Sequence, residues 1–566
     1  MKRIQWILCF AFLFSCQLSD GGQPKTNQYE SMAAVTGDGK GAVASVNSLA
    51  TQLGLEAFAK GGNAIDAAAA VAFALGVVDT PNSGIGGGCF ILVHWADGRV
   101  EAIDGREMAP AAATAELYLV DGKYQPQLSK TGALAIGVPG SVAALEALVK
   151  RGGKLKWQEA ILPAAALADS GFAIDGIYSK RLGWVAEHMQ KYPGSAAVFL
   201  DEKGKPLLPG TTLKQPDLAA TYRKLAKQGS EYFYRGEFAQ KMDEWMKANG
   251  GLITAKDFAN YRVLDRTPVK TAFNGYQVFG FPPPSSGGTH VAQILNILET
   301  FPIATAPEAD RYHLILEAMK RAFADRAYWM GDADFADVPR GLLDKSYAKK
   351  LASTIVLDKA TPVKTYGTPP NVSTDLFNRH TTHIATADAE GNWVAITTTL
   401  NTSFGSKVTI PGTGVVMNNQ MDDFAAQTGQ ANAFGLVGDS ANKVEARKRP
   451  LSSMSPTIVL KNGKPVMTVG AAGGPTIINQ VVQVLVNRLA LNMPLEQALN
   501  SPRVHHQWKP EKGLIDPFAS EELKQELKKR GHDLRDWPGF GSTQAIALEK
   551  DGFVAVAEPR LKERMQ

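Results

Sequence analysis

The sequence predicts an α+β protein in which helices and strands alternate without a repeated unit. Two alternating β-rich runs, 383–388 and 393–401, flank residues 389–392, which is typical of a β-hairpin with Gly391 at a positive φ. Between residues 139 and 356, amphipathic helical stretches alternate with loops and a few short strands. The chain has neither heptads nor a repeat of fixed period, which argues against a coiled coil or a solenoid.

Composition and charge are those of an ordinary globular protein. The chain has 566 residues and a net charge of +5, with acidic and basic residues interspersed. That length allows one or two full cores, and no internal linker marks two separable domains. No basic block indicates a nucleic-acid surface, so we expect no nucleic-acid partner.

The N-terminus has the pattern of an export signal. Lys2 and Arg3 precede an apolar segment, residues 4–14, that is too short to span a bilayer. The residues before Cys16 resemble a bacterial lipobox, although Phe14 is bulkier than usual there. We therefore expect residues 1–15 to be a lipoprotein-type signal peptide, with a lipid anchor on Cys16 and an exported, periplasmic or outer-membrane-anchored protein. The alternative is an ordinary signal that is cut a few residues further on.

From Gly41 the pattern predicts two helices and then a glycine-rich turn that enters a strand. Residues 48–62 form a predicted helix that ends at a Gly pair, and Asn63 caps the apolar helix that follows. The glycine run 84–88 comes after a helix and enters a strand, the reverse of the order in phosphate-binding loops. It predicts a tight turn at which backbones approach closely. Cys89 is expected to be a small buried apolar residue.

Two other motifs favour a structural role over a catalytic or metal-binding role. The PPPSSGG stretch (282–288) predicts a helix from about Thr289, with Ser285 and Ser286 in structural roles, because no G-x-S-x-G elbow surrounds them. A short strand is predicted at 414–417. The adjacent His505 and His506 lack partners at ligand spacing, so no metal is predicted.

The start of the hairpin carries a possible nucleophile. A three-residue loop, 389–391, would pair Thr381 with Thr399, and a four-residue loop would instead pair Thr381 with Leu400. If the peptide bond between His380 and Thr381 were cut, Thr381 would carry both a hydroxyl and an α-amine, whose pKa near ~7.7–8.0 suits a general base. From these residues alone, a catalytic threonine and an ordinary Thr-rich hairpin both stay open.

A resemblance that extends over most of the chain favours catalysis. The motifs occur in one order along the sequence: DGREMAP (104–110), PPPSSGGTH (282–290), TTHIATADAEGNWVAITTTLNTSFGS (381–406), NNQMDDF (418–424), KRPLSSMSPT (448–457), GAAGG (470–474), SPRVHHQW (501–508) and GSTQ (541–544). In this order they resemble the bacterial γ-glutamyltranspeptidases, also known as glutathione hydrolases. The resemblance implies an N-terminal-nucleophile hydrolase fold, an αββα sandwich of two stacked sheets between helical layers, with no cofactor.

The resemblance also implies a precursor that cuts itself before Thr381. The products would be a large subunit, 16–380, and a small catalytic subunit, 381–566, which share one core. Thr381 would be the nucleophile, Thr399 would orient it, and the backbone N–H groups of Gly473 and Gly474 would form the oxyanion hole.

Substrate contacts are implied in the same way. Arg106, Ser452 and Ser453 would hold the α-carboxylate of the γ-glutamyl group, and Gln420 and Asp423 its α-ammonium group. Residues 425–450 would form a lid, in which bacterial relatives commonly have a Tyr bonded to the residue that matches Asn401. This chain has Phe434 there, which cannot form that hydrogen bond.

The predicted function is that of a self-processing γ-glutamyltransferase and glutathione hydrolase. Its substrates would be glutathione and other γ-glutamyl compounds, with water, an amino acid or a dipeptide as acceptor. Two alternatives stay open, a cephalosporin (glutaryl) acylase of the same fold and an inactive lipoprotein that binds amino-acid-like ligands.

Overall fold

The computed structural model describes residues 31–370, 382–427 and 430–561. The predicted signal peptide, Cys16 and the predicted cleavage bond between His380 and Thr381 lie outside these residues. Within them, no helix is both long and apolar enough to cross a membrane.

Twenty strands occur in the described residues, and we number them in chain order. They are β1 Ala33–Val35, β2 Gly41–Ala44, β3 Gly88–His94, β4 Val100–Gly105, β5 Leu119–Val120, β6 Lys123–Tyr124, β7 Phe172–Ala173, β8 Thr212–Leu213, β9 Leu264–Arg266, β10 Val269–Phe273, β11 Tyr276–Gly280, β12 Thr382–Asp388, β13 Trp393–Thr399, β14 Thr457–Lys461, β15 Lys464–Ala471, β16 Val504–His505, β17 Gly513–Ile515, β18 Leu534–Asp536, β19 Thr543–Glu549 and β20 Gly552–Ala557.

Seventeen α-helices occur in the same part of the chain. They are α1 Ser48–Ala59, α2 Ala64–Val78, α3 Pro126–Lys130, α4 Ser141–Gly152, α5 Trp157–Ser170, α6 Gly176–Met189, α7 Pro193–Phe199, α8 Pro216–Gln228, α9 Ser230–Tyr234, α10 Glu237–Ala248, α11 Ala255–Asn260, α12 Ser286–Leu298, α13 Glu308–Trp329, α14 Lys345–Ala352, α15 Thr476–Leu485, α16 Leu495–Asn500 and α17 Glu521–Lys529. A π-helical turn, Val486–Ala490, continues α15.

Two large antiparallel sheets form the centre of the molecule. One has seven strands in the order β1-β2-β12-β13-β3-β4-β9, and the other has six in the order β10-β11-β14-β15-β19-β20. Their facing side chains form one apolar cluster, in which Phe90 stacks on Phe281 with ring centroids 4.1 Å apart. Many members of that cluster are alanines, among them Ala44, Ala385 and Ala395, which allow the sheets to approach closely.

Helices cover the outer face of each sheet. Ile91, Val394 and Ile396, on the outer face of the seven-stranded sheet, pack in one cluster with residues of α1, α2, α4 and α5. Val459 and Val469, on the outer face of the six-stranded sheet, pack in a second cluster with residues of α12, α13 and α15. This order of layers confirms the predicted αββα sandwich.

The predicted hairpin lies in the middle of the seven-stranded sheet. Strands β12 and β13 pair from Thr382 with Thr398 to Ala387 with Trp393, and the Asp388 N–H donates to Asn392 O at 3.0 Å. This is the three-residue loop, so the four-residue alternative is wrong. Because β12 pairs with β2 and β13 with β3, parts of the chain on both sides of residues 371–381 share one sheet and one core.

The glycine-rich turn has the predicted structural role. A Cβ atom on Gly86 would lie 2.0 Å from Val416 O, and one on Gly87 would lie 1.8 Å from Thr399 O. The turn therefore brings three backbone segments into contact at the end of β13. Cys89, the next residue after the turn, is buried, and burial raises the pKa of its thiol, which agrees with its prediction as an apolar residue.

Two predicted elements differ from the structure. Helix α12 begins at Ser286, not near Thr289, with Ser285 as its N-cap. Its first turn lies against backbone atoms, since a Cβ on Gly288 would lie 2.3 Å from Phe281 O, and only glycine allows this contact. The strand predicted at 414–417 is reduced to one isolated bridge between Thr409 and Val416.

Candidate active site

The C-terminal end of β13 supplies the first part of the site. The Asn401 N–H donates to Thr399 Oγ1 at 2.7 Å, and Asn401 has a positive φ of 81°. The Asn401 amide nitrogen donates to Asn419 O at 2.9 Å, whereas its Oδ1 is buried without a partner among the described residues. Thr381 lies outside the described residues, and β12 begins at the next residue, Thr382.

The two predicted oxyanion glycines form the turn between β15 and α15. Gly473 and Gly474 have positive φ angles of 128° and 62°, which favour glycine. Thr476 Oγ1 donates to Gly473 O at 2.7 Å and fixes the turn. Neither glycine N–H has an acceptor among the described residues, so both groups are available to an incoming oxyanion at the start of a helix.

Arg106, Asp423 and Gln420 form a buried cluster. Arg106 Nη2 donates to Asp423 Oδ2 at 2.8 Å, and Gln420 Nε2 donates to the same oxygen at 2.7 Å. Arg106 Nε donates to Pro450 O at 3.1 Å, so the guanidinium is held by backbone on its other side. Gln420 Oε1 is buried and has no partner among the described residues. The cluster thus combines a cation, an anion and an unused amide oxygen, which suits a zwitterionic ligand.

Burial changes the acid–base properties of this cluster. It raises the pKa of Asp423 to about 6, against the opposing effects of Arg106, Gln420 and Arg326. It also raises the pKa of Glu107 to about 7, against the attraction of the adjacent Arg106. Arg106 Nη1 lies 3.5 Å from Glu107 Oε2, whereas Glu107 Oε1 has no partner in the described part of the chain. Burial therefore brings the pKa values of both carboxyl groups closer to neutral pH.

The serine pair lies beside the start of α12. Ser452 and Ser453 are fully buried, and Ser453 Oγ has no hydrogen-bond partner within the described ranges. Ser286 Oγ donates to Ser452 O at 2.6 Å, and Ser285 Oγ donates to Met454 O. These contacts give Ser285 and Ser286 the structural roles predicted for them, because they hold the backbone that carries the serine pair.

Phe434 belongs to the segment that is predicted to form a lid, and it lies against the glycine turn. A Cβ atom on Gly474 would lie 2.9 Å from Phe434 Cδ1, so the ring covers that glycine. Asn432 Oδ1 accepts from the Phe434 N–H at 3.0 Å, and Asn432 Nδ2 lies 3.5 Å from Asp423 Oδ1. Phe434 therefore contacts the glycine turn, and Asn432, two residues before it, contacts the charged cluster.

Contacts join several of the predicted site residues: Arg106 and Gln420 bond Asp423, the Asn401 N–H bonds Thr399, and the Phe434 ring lies against Gly474. Asn401 also donates to the carbonyl of Asn419, the residue before Gln420, which links the end of β13 to the Arg106 cluster. Sequence reasoning did not find Glu107 or Arg326. The only signal for Glu107 was its position next to Arg106, and Arg326 looked like any polar residue of an amphipathic helix.

One group of side chains among the described residues has the spacing of a metal site. It consists of His313, Glu317 and His532 and includes neither His505 nor His506. Glu317 already pairs with Lys320 and with Arg321, the latter at 2.7 Å, and two cations oppose the binding of a third. His313 Nδ1 also lies 2.7 Å from His532 Nε2, as a hydrogen-bonded pair. We assign no metal to this group.

Comparison with known proteins identifies the family. The gamma-glutamyltranspeptidase family model matches residues 50–566. The chain belongs to the γ-glutamyltranspeptidase family. It is 41% identical to the glutathione hydrolase proenzyme of Escherichia coli (strain K12), over 92% of this chain and 90% of that protein. This confirms the resemblance seen in the motifs and the predicted enzyme class, γ-glutamyltransferase and glutathione hydrolase.

Solved structures agree with the fold. A cephalosporin acylase from Bacillus halodurans is similar with a TM-score of 0.84 and 28% identity, covering 97% of this chain and 98% of that chain. A γ-glutamyltranspeptidase from Helicobacter pylori has a TM-score of 0.55 and 41% identity, covering 56% of this chain and 93% of that chain. The sandwich is thus shared by transpeptidases and acylases, and the site decides between them.

Proposed function

We propose that the protein is a self-processing enzyme that transfers the γ-glutamyl group of glutathione to water, an amino acid or a dipeptide. The observation that carries this proposal is the buried contact between Arg106 and Asp423, together with the unpartnered oxygen of Gln420. A free α-carboxylate would pair with the planar guanidinium, and a free α-ammonium group with Asp423 and the Gln420 oxygen. Both groups are free in a γ-linked glutamate, whereas an α-linked peptide blocks the carboxylate.

The chemistry would follow in two steps. The Thr381 hydroxyl attacks the γ-carbonyl carbon and its proton passes to the α-amine of the same residue. The N–H groups of Gly473 and Gly474 hold the oxyanion, the C–N bond breaks, and cysteinylglycine leaves with the proton on its amine. Water or an amine then attacks the ester, releasing glutamate or a new γ-glutamyl compound and the free Thr381 hydroxyl.

Maturation would use the same hydroxyl. The Thr381 oxygen attacks the carbonyl carbon of His380, the peptide C–N bond breaks, and an ester to Thr381 forms with the α-amine set free. Water hydrolyses the ester, leaving chains 16–380 and 381–566.

The test of both steps is Thr381→Ala. Purification should give one uncut, inactive chain, because the variant lacks the attacking oxygen. Thr381→Ser keeps a hydroxyl and should still be cut, and Thr382→Ala is the matched neighbour control that should be cut and active. Thr382 donates to Asp79 at 3.1 Å, so its loss tests local structure without removing the nucleophile. A cut or active Thr381→Ala chain would disprove the proposal.

A glutaryl acylase is the second candidate, and the similarity to the Bacillus halodurans acylase favours it. A glutaryl group lacks the α-ammonium group, so it would leave Asp423 and Gln420 without a ligand. A γ-glutamyl and a glutaryl 4-nitroanilide, each assayed with and without glycylglycine, separate the two activities. We expect faster turnover of the γ-glutamyl compound and acceleration by the dipeptide.

Export and lipidation at Cys16 are also part of the proposal, supported by the N-terminal pattern of residues 1–16. Mass spectrometry of the two mature chains would reveal an acyl group on Cys16. A free N-terminus further along the chain would favour the ordinary signal peptide.

A further inference from the structure

Arg326 is a buried cation outside the predicted substrate contacts. It lies on α13 with 2% of its surface exposed, and its Nε donates to Ser286 Oγ at 3.2 Å. Its Nε bond to Ser286 is the one hydrogen bond that the guanidinium forms among the described residues, and it forms no ion pair there. A buried guanidinium with so few partners is costly to the fold and calls for a functional explanation.

A small cavity connects Arg326 with the charged cluster. The cavity has a volume of about 10 Å³ and is lined by Arg326, Asp423, Asn432, Asn442 and Leu451. It has room for about one water molecule. Arg326 therefore faces Asp423 across a space that the lid residue Asn432 helps to close.

The two arginines are placed differently relative to Asp423. Arg106 bonds Asp423 directly in the structure, at 2.8 Å. In the proposed function, the donor's α-carboxylate binds the Arg106 guanidinium. Asp423 must then share Arg106 with the carboxylate, or lose it, while Asp423 binds the α-ammonium group. Arg326 bonds Ser286, which is not a predicted substrate contact, so we expect Arg326 to keep its position when the substrate binds.

We propose that Arg326 is a positioning residue that keeps Asp423 ionised while Arg106 binds the donor's carboxylate, and thereby makes the pocket select donors with a free α-ammonium group. This inference rests on the proposed function. It assigns no contact between Arg326 and the substrate.

The charges around Asp423 determine the direction in which the pH dependence of γ-glutamyl turnover would shift. Arg106 and Arg326 both lower the pKa of Asp423, whereas burial raises it to about 6. The neighbouring carboxyls of Glu107 and Asp422 oppose its ionisation, and burial raises the pKa of each of these groups as well. Removal of the Arg326 charge should therefore raise the pKa of Asp423, and the loss of γ-glutamyl turnover on acidification should begin at higher pH.

The experiment compares two donors that differ only in the α-ammonium group, γ-glutamyl and glutaryl 4-nitroanilide. In Arg326→Gln, we expect kcat/KM for the γ-glutamyl donor to fall about tenfold or more, and kcat/KM for the glutaryl donor to change less than threefold. The acidic limb of the γ-glutamyl profile should move to higher pH. Arg326→Lys keeps the charge and should retain most of the selectivity.

Controls separate this effect from a loss of structure. Arg311→Gln changes an arginine on the same helix that donates to Ala306 O at 3.0 Å, away from the site, and should leave both donors unchanged. Cleavage into two chains and the melting temperature show whether each variant folds, and Arg326→Met supplies a second neutral variant if Arg326→Gln does not mature.

Three results would overturn the inference: an equal loss for both donors, no loss for either, or failure of both neutral variants to fold, which would make Arg326 a folding residue. If the wild-type enzyme turned over neither donor, the proposed function would fail first. A wild-type enzyme that prefers the γ-glutamyl donor, with unchanged selectivity in Arg326→Gln, would overturn the inference alone.

Discussion

Arg106→Lys tests whether the shape of the guanidinium, beyond its charge, holds the substrate. Arg106 is fully buried and its nitrogens contact Pro450 O, Asp423 Oδ2 and Leu451 O at 3.1, 2.8 and 3.4 Å. A lysine has one nitrogen and cannot keep these contacts while it also forms two parallel bonds to a carboxylate. The lost charge-assisted bond should cost about 1.5–3 kcal/mol, which corresponds to about 10- to 150-fold in kcat/KM.

The loss should appear mainly in KM. The α-carboxylate is remote from the reacting carbonyl, so its contact with Arg106 is about equally strong in the ground state and the transition state. Initial rates with γ-glutamyl 4-nitroanilide over a range of concentrations separate KM from kcat. Arg262→Lys is the matched control, because this arginine donates to Ala259 O and Tyr261 O at the surface nearby.

The structure also predicts a moderate loss of stability in Arg106→Lys. The carbonyl groups of Pro450 and Leu451 would be buried with fewer donors, which should lower the free energy of unfolding by about 1–3 kcal/mol. Thermal melting and the extent of cleavage show whether the variant still folds. If KM stayed within threefold of the wild-type value while kcat fell, the assignment of Arg106 to the α-carboxylate would be wrong.

Two further substitutions test the supports of the site. Gly87→Ala would place a Cβ 1.8 Å from Thr399 O and should destabilise the precursor by about 3 kcal/mol. Gly176→Ala is the control, because open space surrounds Gly176, and it should change stability by less than about 0.5 kcal/mol. Equal urea midpoints for the two variants would contradict this prediction. Gln507→Leu removes the amide donor that lies 3.4 and 3.2 Å from the carbonyl oxygens of Phe434 and Gly435. Loss of about 1 kcal/mol should speed up amide hydrogen exchange in the predicted lid about fivefold. Unchanged exchange would show that Gln507 does not stabilise this segment.

Local rules were enough to predict the hairpin and the turns. The register of β12 and β13 follows from loop length and side-chain alternation, and the structure pairs His383 with Thr397 on one face, with His383 Nδ1 3.1 Å from Thr397 Oγ1. The cap at Asn63 likewise follows from its own neighbours, since its side chain accepts from the N–H groups of Ile65 and Asp66.

Contacts between distant parts of the chain could not be predicted from pattern. Helix α12 begins three residues early because Gly288 touches the backbone of Phe281, a contact that no local period reveals. Residues 312–326 of α13 are buried on all sides, so its amphipathic pattern did not show which polar residue faces the site. Arg326 lies near Asp423, and Glu107 contacts Arg106, only in the folded chain, so the sequence pattern did not single out either residue.

The position of the predicted cleavage bond explains how a cut chain could remain one enzyme. Arg106 comes from the part before residues 371–381 and Asp423 from the part after it, yet they form a buried pair 2.8 Å apart. Strands β2 and β3 of the first part enclose the hairpin of the second part, and β11 of the first part pairs with β14 of the second. A cut between 380 and 381 would break none of these described contacts. The free energy of the shared core would therefore hold both chains together after the cut.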